Sequence, residues 1–153
     1  MPKGVITINE KNLSMATNHI STKWLGGMSF ESNNTSGGTF KIDDGSSEDP
    51  QSFRPKALML SSLAGCSGLD VASLIAKMKL EVSDFHIETM ANLTEEHPKY
   101  YDKVTIEYHF HGANLNEAKL KRAVDLSIEK YCGVMEMFRR FAELDIEIIY
   151  HNE

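Results

Sequence analysis

The sequence has 153 residues, of which 41% are hydrophobic and 25% are charged, which is enough apolar material for one core and too little for two. Its 22 acidic and 16 basic residues give a formal net charge of −6. The basic residues are scattered, whereas a nucleic-acid-binding surface needs clustered Lys and Arg. We therefore expect one soluble domain that does not bind nucleic acid.

Cysteine is rare in this sequence. Only Cys66 and Cys132 occur, without a Cys-x-x-C motif or a Cys/His pair at zinc spacing. No apolar N-terminal segment leads into a small-residue cleavage site. The pattern argues against a disulfide framework and predicts a protein of the reducing cytoplasm.

The first part of the chain is predicted to be rich in strands. Residues 1–18 alternate only weakly and are interpreted as an N-terminal extension to a single domain of residues 19–153. Glycine-containing turns separate three short segments of strand-forming residues, which predicts an antiparallel meander with strands at 19–25, 28–32 and 39–43. The polar segment 44–53 is predicted to be a connection without core residues.

A long helix is predicted from Arg54 and Pro55 to about residue 80, because proline suits the first helical turn. Residues 57–76 carry one formal charge, Asp70, and are long enough to span a membrane. A charge inside lipid is costly, so we expect a core helix and no membrane partner. Its first half is apolar on nearly every side, which predicts a homodimer in which the partner covers part of it.

The second part of the chain is predicted to contain three more strands and a second helix. Period-two alternation indicates strands at 84–94, 102–112 and 144–151. A stripe at three- and four-residue steps predicts a second long helix over 116–142, with the apolar positions Leu120, Val124, Ile128, Tyr131, Met135 and Phe138. The order of elements favours an α+β fold with antiparallel sheets packed around two long helices.

Histidines offer a further candidate site. His109 and His111 are two residues apart on a strand face predicted to be wet, and they could bind a metal with a third ligand. Neither a carboxylate nor a cysteine stands at ligand spacing. We therefore interpret them as solvated histidines and expect no metal site.

Three segments resemble the OsmC/Ohr family. Residues 54–71 (RPKALMLSSLAGCSGLDV) and 123–134 (AVDLSIEKYCGV) are similar to its two cysteine helices, and residues 24–30 (WLGGMSF) resemble its first hairpin. The resemblance implies an OsmC-like fold, an intertwined homodimer, and thiol-dependent reduction of hydroperoxides, especially organic ones. It implies that Cys66 is the peroxidatic and Cys132 the resolving cysteine. No bound cofactor is implied, only an external dithiol, which is of lipoyl type in some relatives.

The attacking thiolate needs a nearby cation, because Cys66 lies more than three turns into its helix, beyond the reach of the helix dipole. Peroxidases of the family place an arginine after the glycine turn of the hairpin and a glutamate in the first turn of the cysteine helix. The corresponding positions here hold Met28 or Ser29 and Lys56 or Ala57.

The candidate replacements for this cation are Arg54 and Lys56 in the first helical turn, and Arg139 and Arg140 after Cys132. The favoured interpretation of each is a solvated surface charge, because exposed basic side chains are common. Asp70 shares the helix face of the first cysteine and would oppose thiolate formation if it were ionised nearby, although it could pair elsewhere.

Two functions remain as hypotheses. The first is a hydroperoxide reductase that uses Cys66 and Cys132 as a redox pair. The second is a non-catalytic OsmC-like dimer that binds a small apolar or reactive ligand in the same cleft, with both cysteines unreactive as core residues.

Overall fold

The computed structural model describes residues 17–153, so nearly all of the predicted extension 1–18 lies outside the described residues. The chain divides into two compact units, one ending at Arg54 and one running from Pro55 to Glu153. Each unit is described by itself. A single domain over residues 19–153 stays a prediction.

The first unit is a four-stranded sheet in chain order, with strands β1 (Ile20–Gly26), β2 (Ser29–Asn34), β3 (Thr39–Asp43) and β4 (Ser52–Phe53). The predicted antiparallel meander is confirmed, because β1 pairs antiparallel with β2 and β2 with β3. Gly26 and Gly27 form the first turn with φ angles of 105° and 54°, which glycine adopts without steric cost. Trp24 closes this turn, since its indole N–H donates to the Gly27 carbonyl oxygen at 2.9 Å.

The sequence predicts a connection without core residues over segment 44–53, but part of this segment forms a strand. Its last two residues form β4, which pairs parallel with β3. Phe53 packs edge to face against Phe40, with ring centroids 6.3 Å apart. Two residues are too few to produce a periodic pattern, so alternation could not reveal this strand.

The second unit combines helices with a three-stranded sheet. Its elements are α1 (Pro55–Lys77), β5 (Asp84–Leu93), β6 (Tyr101–Gly112), α2 (Glu117–Leu126), a π-helical turn (Ser127–Tyr131), α3 (Gly133–Arg139) and β7 (Glu143–Asn152). The α+β class is confirmed. Asn116 caps α2, because its side chain accepts from the Lys119 backbone N–H at 3.1 Å.

The sheet of the second unit is mixed, and the prediction of wholly antiparallel sheets is wrong here. Its order is β5-β6-β7; β5 pairs antiparallel with β6, and β7 pairs parallel with β6. A parallel pair needs a long crossover between its strands. The helical segment from α2 to α3 supplies that crossover.

The core of this unit lies between one face of the sheet and the helices. Every second side chain of β6 is fully buried, and these are Val104, Ile106, Tyr108 and Phe110. They form a cluster with Leu63 and Val71 of α1 and with buried side chains of α2 and α3. The alternate β6 side chains, which include His109 and His111, point to the other face.

The second long helix predicted over 116–142 is wrong as a single element. After α2 the hydrogen bonding widens to the π form, with the Cys132 N–H bonded to the Ser127 carbonyl at 2.8 Å. Cys132 then leaves the helical region at φ −77° and ψ 101°, and α3 begins after it. The wider turn shifts the helix phase, so Tyr131, predicted on the buried stripe, is 51% exposed.

Candidate functional site

The two cysteines lie in the second unit and are both free thiols. Cys66 is near the middle of α1, is partly buried and packs against the core cluster. Cys132 belongs to that cluster and is 4% exposed. The two thiols lie near each other, and Cys66 is one of the groups that raise the pKa of the Cys132 thiol.

Cys132 is the N-cap residue of α3, a position created by the break in the helix. Its Sγ accepts a hydrogen bond from the Met135 backbone N–H at 3.3 Å, the place that a serine or aspartate oxygen usually takes. Burial raises the pKa of the Cys132 thiol to about 11, against the lowering effect of the Met135 hydrogen bond; Cys66 and Asp70 raise it further. Cys132 is therefore a protonated thiol at neutral pH.

A buried hydroxyl network lies beside the cysteines. Ser67, which follows Cys66, is within 2.6 Å of the Tyr108 hydroxyl and 2.8 Å of Ser127 Oγ. All three side chains are fully buried. The network joins α1, β6 and the π-helical turn, because a buried hydroxyl is costly unless it is hydrogen-bonded.

Asp70 is the acidic residue that is hydrogen-bonded to this network. Ser127 Oγ lies 3.1 Å from Asp70 Oδ2 and donates to it. Burial raises the pKa of Tyr108 to about 12, opposed by the Ser67 hydrogen bond, while Cys132 and Asp70 raise it further. The surroundings of the cysteines thus favour neutral groups over additional negative charge.

Sequence reasoning missed this network. It placed Tyr108 on the inner face of its strand without asking where the hydroxyl would find a partner. A buried tyrosine usually hydrogen-bonds, and Ser67 and Ser127 stand within the two cysteine motifs. These two facts together were the available signal.

Arg54 belongs to the first unit and pairs with Asp43. Its Nη1 lies 3.1 Å from Asp43 Oδ1, and the Asp43 side chain is 1% exposed. Asp43 also accepts from Ser47 Oγ and from the Gly45 N–H, and the Ser47 bond is the first cause that lowers its pKa. Arg54 therefore has a local structural partner, which accounts for a cation at this helix start.

Lys56 and Arg139 differ in their surroundings. Lys56 makes no ion pair with any residue between positions 17 and 153. Arg139 donates to the Ile128 carbonyl and lies 3.5 Å from Glu136. It also lines a pocket of about 270 Å³ that includes Cys132, so it is the candidate cation on the side of the second cysteine.

The first turn of α1 contains no acidic residue. No hydrogen bond from Lys or Arg reaches Cys66 in the described part of the chain. Cys66 and Cys132 lie near each other, whereas the source of a thiolate at Cys66 is not among these hydrogen bonds.

Comparison with known proteins agrees with this architecture. The family model "OsmC-like protein" matches residues 46–147. Protein YhfA of Escherichia coli K12 is 32% identical over 118 residues, which cover 77% of this chain and 87% of that protein. A hypothetical protein from Aquifex aeolicus VF5 superposes with a TM-score of 0.81 at 29% identity and covers 91% of this chain and 99% of its own.

A more distant structure has a functional description. It is an organic hydroperoxide resistance protein OsmC from Legionella pneumophila, with a TM-score of 0.63 and 19% identity, covering 89% of this chain and 98% of its own. At that identity the likeness concerns the fold. With the family model covering both cysteine segments, the chain belongs to the OsmC-like protein family.

Proposed function

We propose that this protein reduces organic hydroperoxides through Cys66 and Cys132. The observation that carries the proposal is that two free cysteines are neighbours in the core of an OsmC-like chain, one partly exposed and one buried. Structurally similar proteins from Legionella pneumophila and Bacillus subtilis are named for organic hydroperoxide resistance, which supports the same substrate class.

The chemistry divides between the two thiols. The Cys66 thiolate attacks the outer oxygen of the peroxide, the O–O bond breaks, and the products are an alcohol and a sulfenic acid on Cys66. Cys132 then attacks the sulfenic sulfur, loses its proton and displaces water, which leaves a disulfide. An external dithiol, such as a lipoyl group, reduces this disulfide and becomes oxidised in turn.

Burial of Cys132 suits the resolving role. With a pKa raised to about 11, chiefly by burial, its thiol does not compete for peroxide, because the thiolate is the reactive form. Attack by Cys66 comes first for that reason. The cation that activates Cys66 belongs to the proposal as well, and Arg54, Lys56 and Arg139 are its candidates.

A homodimer completes the proposed assembly. Helix α1 is long and apolar enough to span a membrane, with a mean hydropathy of 1.6 over an 18-residue stretch. Only 22% of this stretch is buried among the described residues. Leu69 is 76% and Met59 44% exposed on this helix. A second copy would cover these side chains in the cytoplasm, and Asp70, tied to Ser127, favours protein over lipid as the covering surface.

Intact-mass analysis tests the redox pair. The reduced protein is treated with a stoichiometric amount of cumene hydroperoxide and then with iodoacetamide under denaturing conditions. We expect a loss of about 2 Da and no alkylation, as required for one disulfide. The Cys132→Ser variant should stop at the sulfenic acid, and the Cys66→Ser variant should not react.

Two unchanged thiols after this treatment would eliminate the peroxidase. That result would support the second candidate, a non-catalytic dimer that binds a small apolar or reactive ligand. The observation in favour of this candidate is the Asp70 carboxylate beside the thiols, together with the absence of an acidic residue in the first turn of α1. Retained ligand binding in the Cys66→Ser variant would identify it.

A further inference from the structure

The face of the β5-β6-β7 sheet that points away from the cysteines carries four stacked histidines. His86 lies opposite His109, and His111 lies opposite His151. The ring centroids of His86 and His109 are 4.6 Å apart, and those of His111 and His151 are 4.1 Å apart, with nearly parallel planes. Three strands therefore bring together histidines that are up to 65 positions apart in the sequence.

Two of these rings, His109 and His151, are hydrogen-bonded to each other. His109 Nδ1 lies 3.0 Å from His151 Nε2, and His109 Nε2 lies 3.0 Å from Glu107 Oε2. Both nitrogens of His109 are thus hydrogen-bonded within the protein. His109 therefore has no ring nitrogen available for a further ligand.

The other two rings are placed differently. Asp84 lies opposite His111 in the strand register, and one ligand atom from each of Asp84, His86 and His111 lies within 4.8 Å of the other two. His111 Nε2 is buried without a hydrogen-bond partner among the described residues. Glu153 Oε1 lies 3.6 Å from His111 Nδ1 and adds a second carboxylate beside the group.

We propose that Asp84, His86 and His111 bind a divalent transition-metal ion, with zinc as the representative. Imidazole nitrogen with carboxylate oxygen is a donor set that zinc, nickel and copper accept. The two carboxylates of Asp84 and Glu153 balance the charge of such an ion.

Binding of a zinc ion by these three residues requires only changes in side-chain conformation. Two ligands that share a zinc ion at about 2 Å each lie at most about 4 Å apart, somewhat closer than the present span of 4.8 Å. The Asp84 and His86 side chains are 70% and 44% exposed, so their rotamers can change without disturbing the core. His111, which is 24% exposed, is the more fixed of the three.

The sequence does not reveal this group of side chains, because they come from two neighbouring strands. His109 and His111 share a face, but the metal-ligand partners of His111 come from β5, across the sheet. The missing carboxylate is Asp84, which only the β5–β6 register places beside it.

Calorimetric titration with Zn²⁺ tests the proposal, using chelator-treated protein in which both cysteines are replaced (Cys66→Ser, Cys132→Ser), so that thiolates cannot bind the ion. A single ion per chain should bind. The His86→Gln and His111→Gln variants should each weaken binding at least about tenfold, and Asp84→Asn should weaken it as well. The matched control His97→Gln removes a histidine from the β5–β6 loop and should leave the affinity unchanged.

Cobalt provides an independent readout in the protein with its native cysteines. Binding at the proposed site should give visible d–d absorption without a thiolate-to-cobalt charge-transfer band, and the bands should be lost in His111→Gln. No Zn²⁺ binding to the cysteine-free protein, or equal affinity in the control, His86→Gln and His111→Gln proteins, would overturn the proposal. Circular dichroism of each variant confirms that it is folded, and failure here leaves the thiol chemistry of the other sheet face unaffected.

Discussion

At the scale of single residues, the buried hydroxyls determine how the cysteines are held. Ser67 is adjacent to Cys66, and Ser127 accepts the Cys132 N–H through its backbone carbonyl. Ser67 is hydrogen-bonded to Tyr108 directly, and Ser127 is linked to it through Ser67, so both cysteine segments are connected to the sheet. Polar contacts in a dry core have few alternative partners, so they fix the relative position of the two segments.

Removal of the Tyr108 hydroxyl tests this role. The Tyr108→Phe variant should lower the free energy of unfolding by about 1 kcal/mol, since Ser67 loses one hydrogen bond but keeps Ser127. Chemical denaturation measures the change. The control Tyr100→Phe, at a residue that is 52% exposed, should be neutral, and equal effects in the two variants would contradict the proposed role.

The same tyrosine gives a pH dependence. Burial raises its pKa from 10.0 to about 12 in the folded protein, so between these values the folded state holds a proton that the unfolded state has lost. Stability therefore falls as pH rises from 10 towards 12. The Tyr108→Phe variant should show a smaller fall over this range.

At the scale of elements, helix α1, which carries Cys66, has an unusual residue at its C-terminal end. Helix α1 finishes with Lys79 at φ 52°, in the left-handed region. The Leu80 N–H bonds to the Ile75 carbonyl at 3.0 Å, and the Lys79 N–H bonds to the Ala76 carbonyl at 3.1 Å. This is the Schellman arrangement, in which glycine normally occupies the left-handed position.

A glycine at this position should stabilise the protein. Lys79→Gly relieves the left-handed backbone of a residue with a side chain, and we expect the free energy of unfolding to rise by about 1 kcal/mol. Lys77→Gly, two residues earlier within α1, should lower it by about 1 kcal/mol. Thermal or chemical denaturation at one fixed protein concentration compares them, and a destabilised Lys79→Gly variant would refute the argument.

Much of the element order could be predicted because long periodic segments carry a strong signal. The alternation of Val104, Ile106, Tyr108 and Phe110 located β6, and the apolar run after Pro55 located α1. The break at residues 127–132 could not be predicted from the apolar stripe, because the stripe continues at helical spacing through Tyr131, although the π-helical turn shifts the helix phase and leaves Tyr131 exposed. Gly133, a poor helix former inside the predicted helix, was the local sign of it.

The candidate site could likewise be predicted only in part. The OsmC/Ohr resemblance identified Cys66 and Cys132, and the structure places them as neighbours. The Asp43 partner of Arg54 could not be predicted, because this pairing depends on how the 44–53 loop folds back.

At the scale of the whole molecule, helix α1 has apolar side chains that the described part of the chain leaves exposed. Leu69 leaves 76% of its surface exposed only one residue before the paired Asp70. Exposed apolar side chains on one helix are typical of a protein–protein contact. The proposed homodimer gives helix α1 a partner.

A charged residue in place of Leu69 should prevent dimer formation. Leu69→Asp would place an unpaired carboxylate in the buried contact, and burial of such a charge is unfavourable. Sedimentation velocity should show a dimer for the original protein and a folded monomer, or a dimer at least tenfold weaker, for the variant. Lys77→Glu, at an already charged position of the same helix, is the control. A stable monomer of the original protein would refute the dimer.

Strand β6 links the two faces of the second unit through its side-chain alternation. Its even-numbered positions supply Tyr108 to the cysteine side, and its odd-numbered positions supply His109 and His111 to the other. Deletion of one residue within the strand would exchange these faces. The imidazoles would then point into the apolar core, and the Tyr108 phenol would point into water. Variation in length is therefore tolerable in the loops on either side of β6, whereas the strand itself must keep its number of residues for both faces to remain intact.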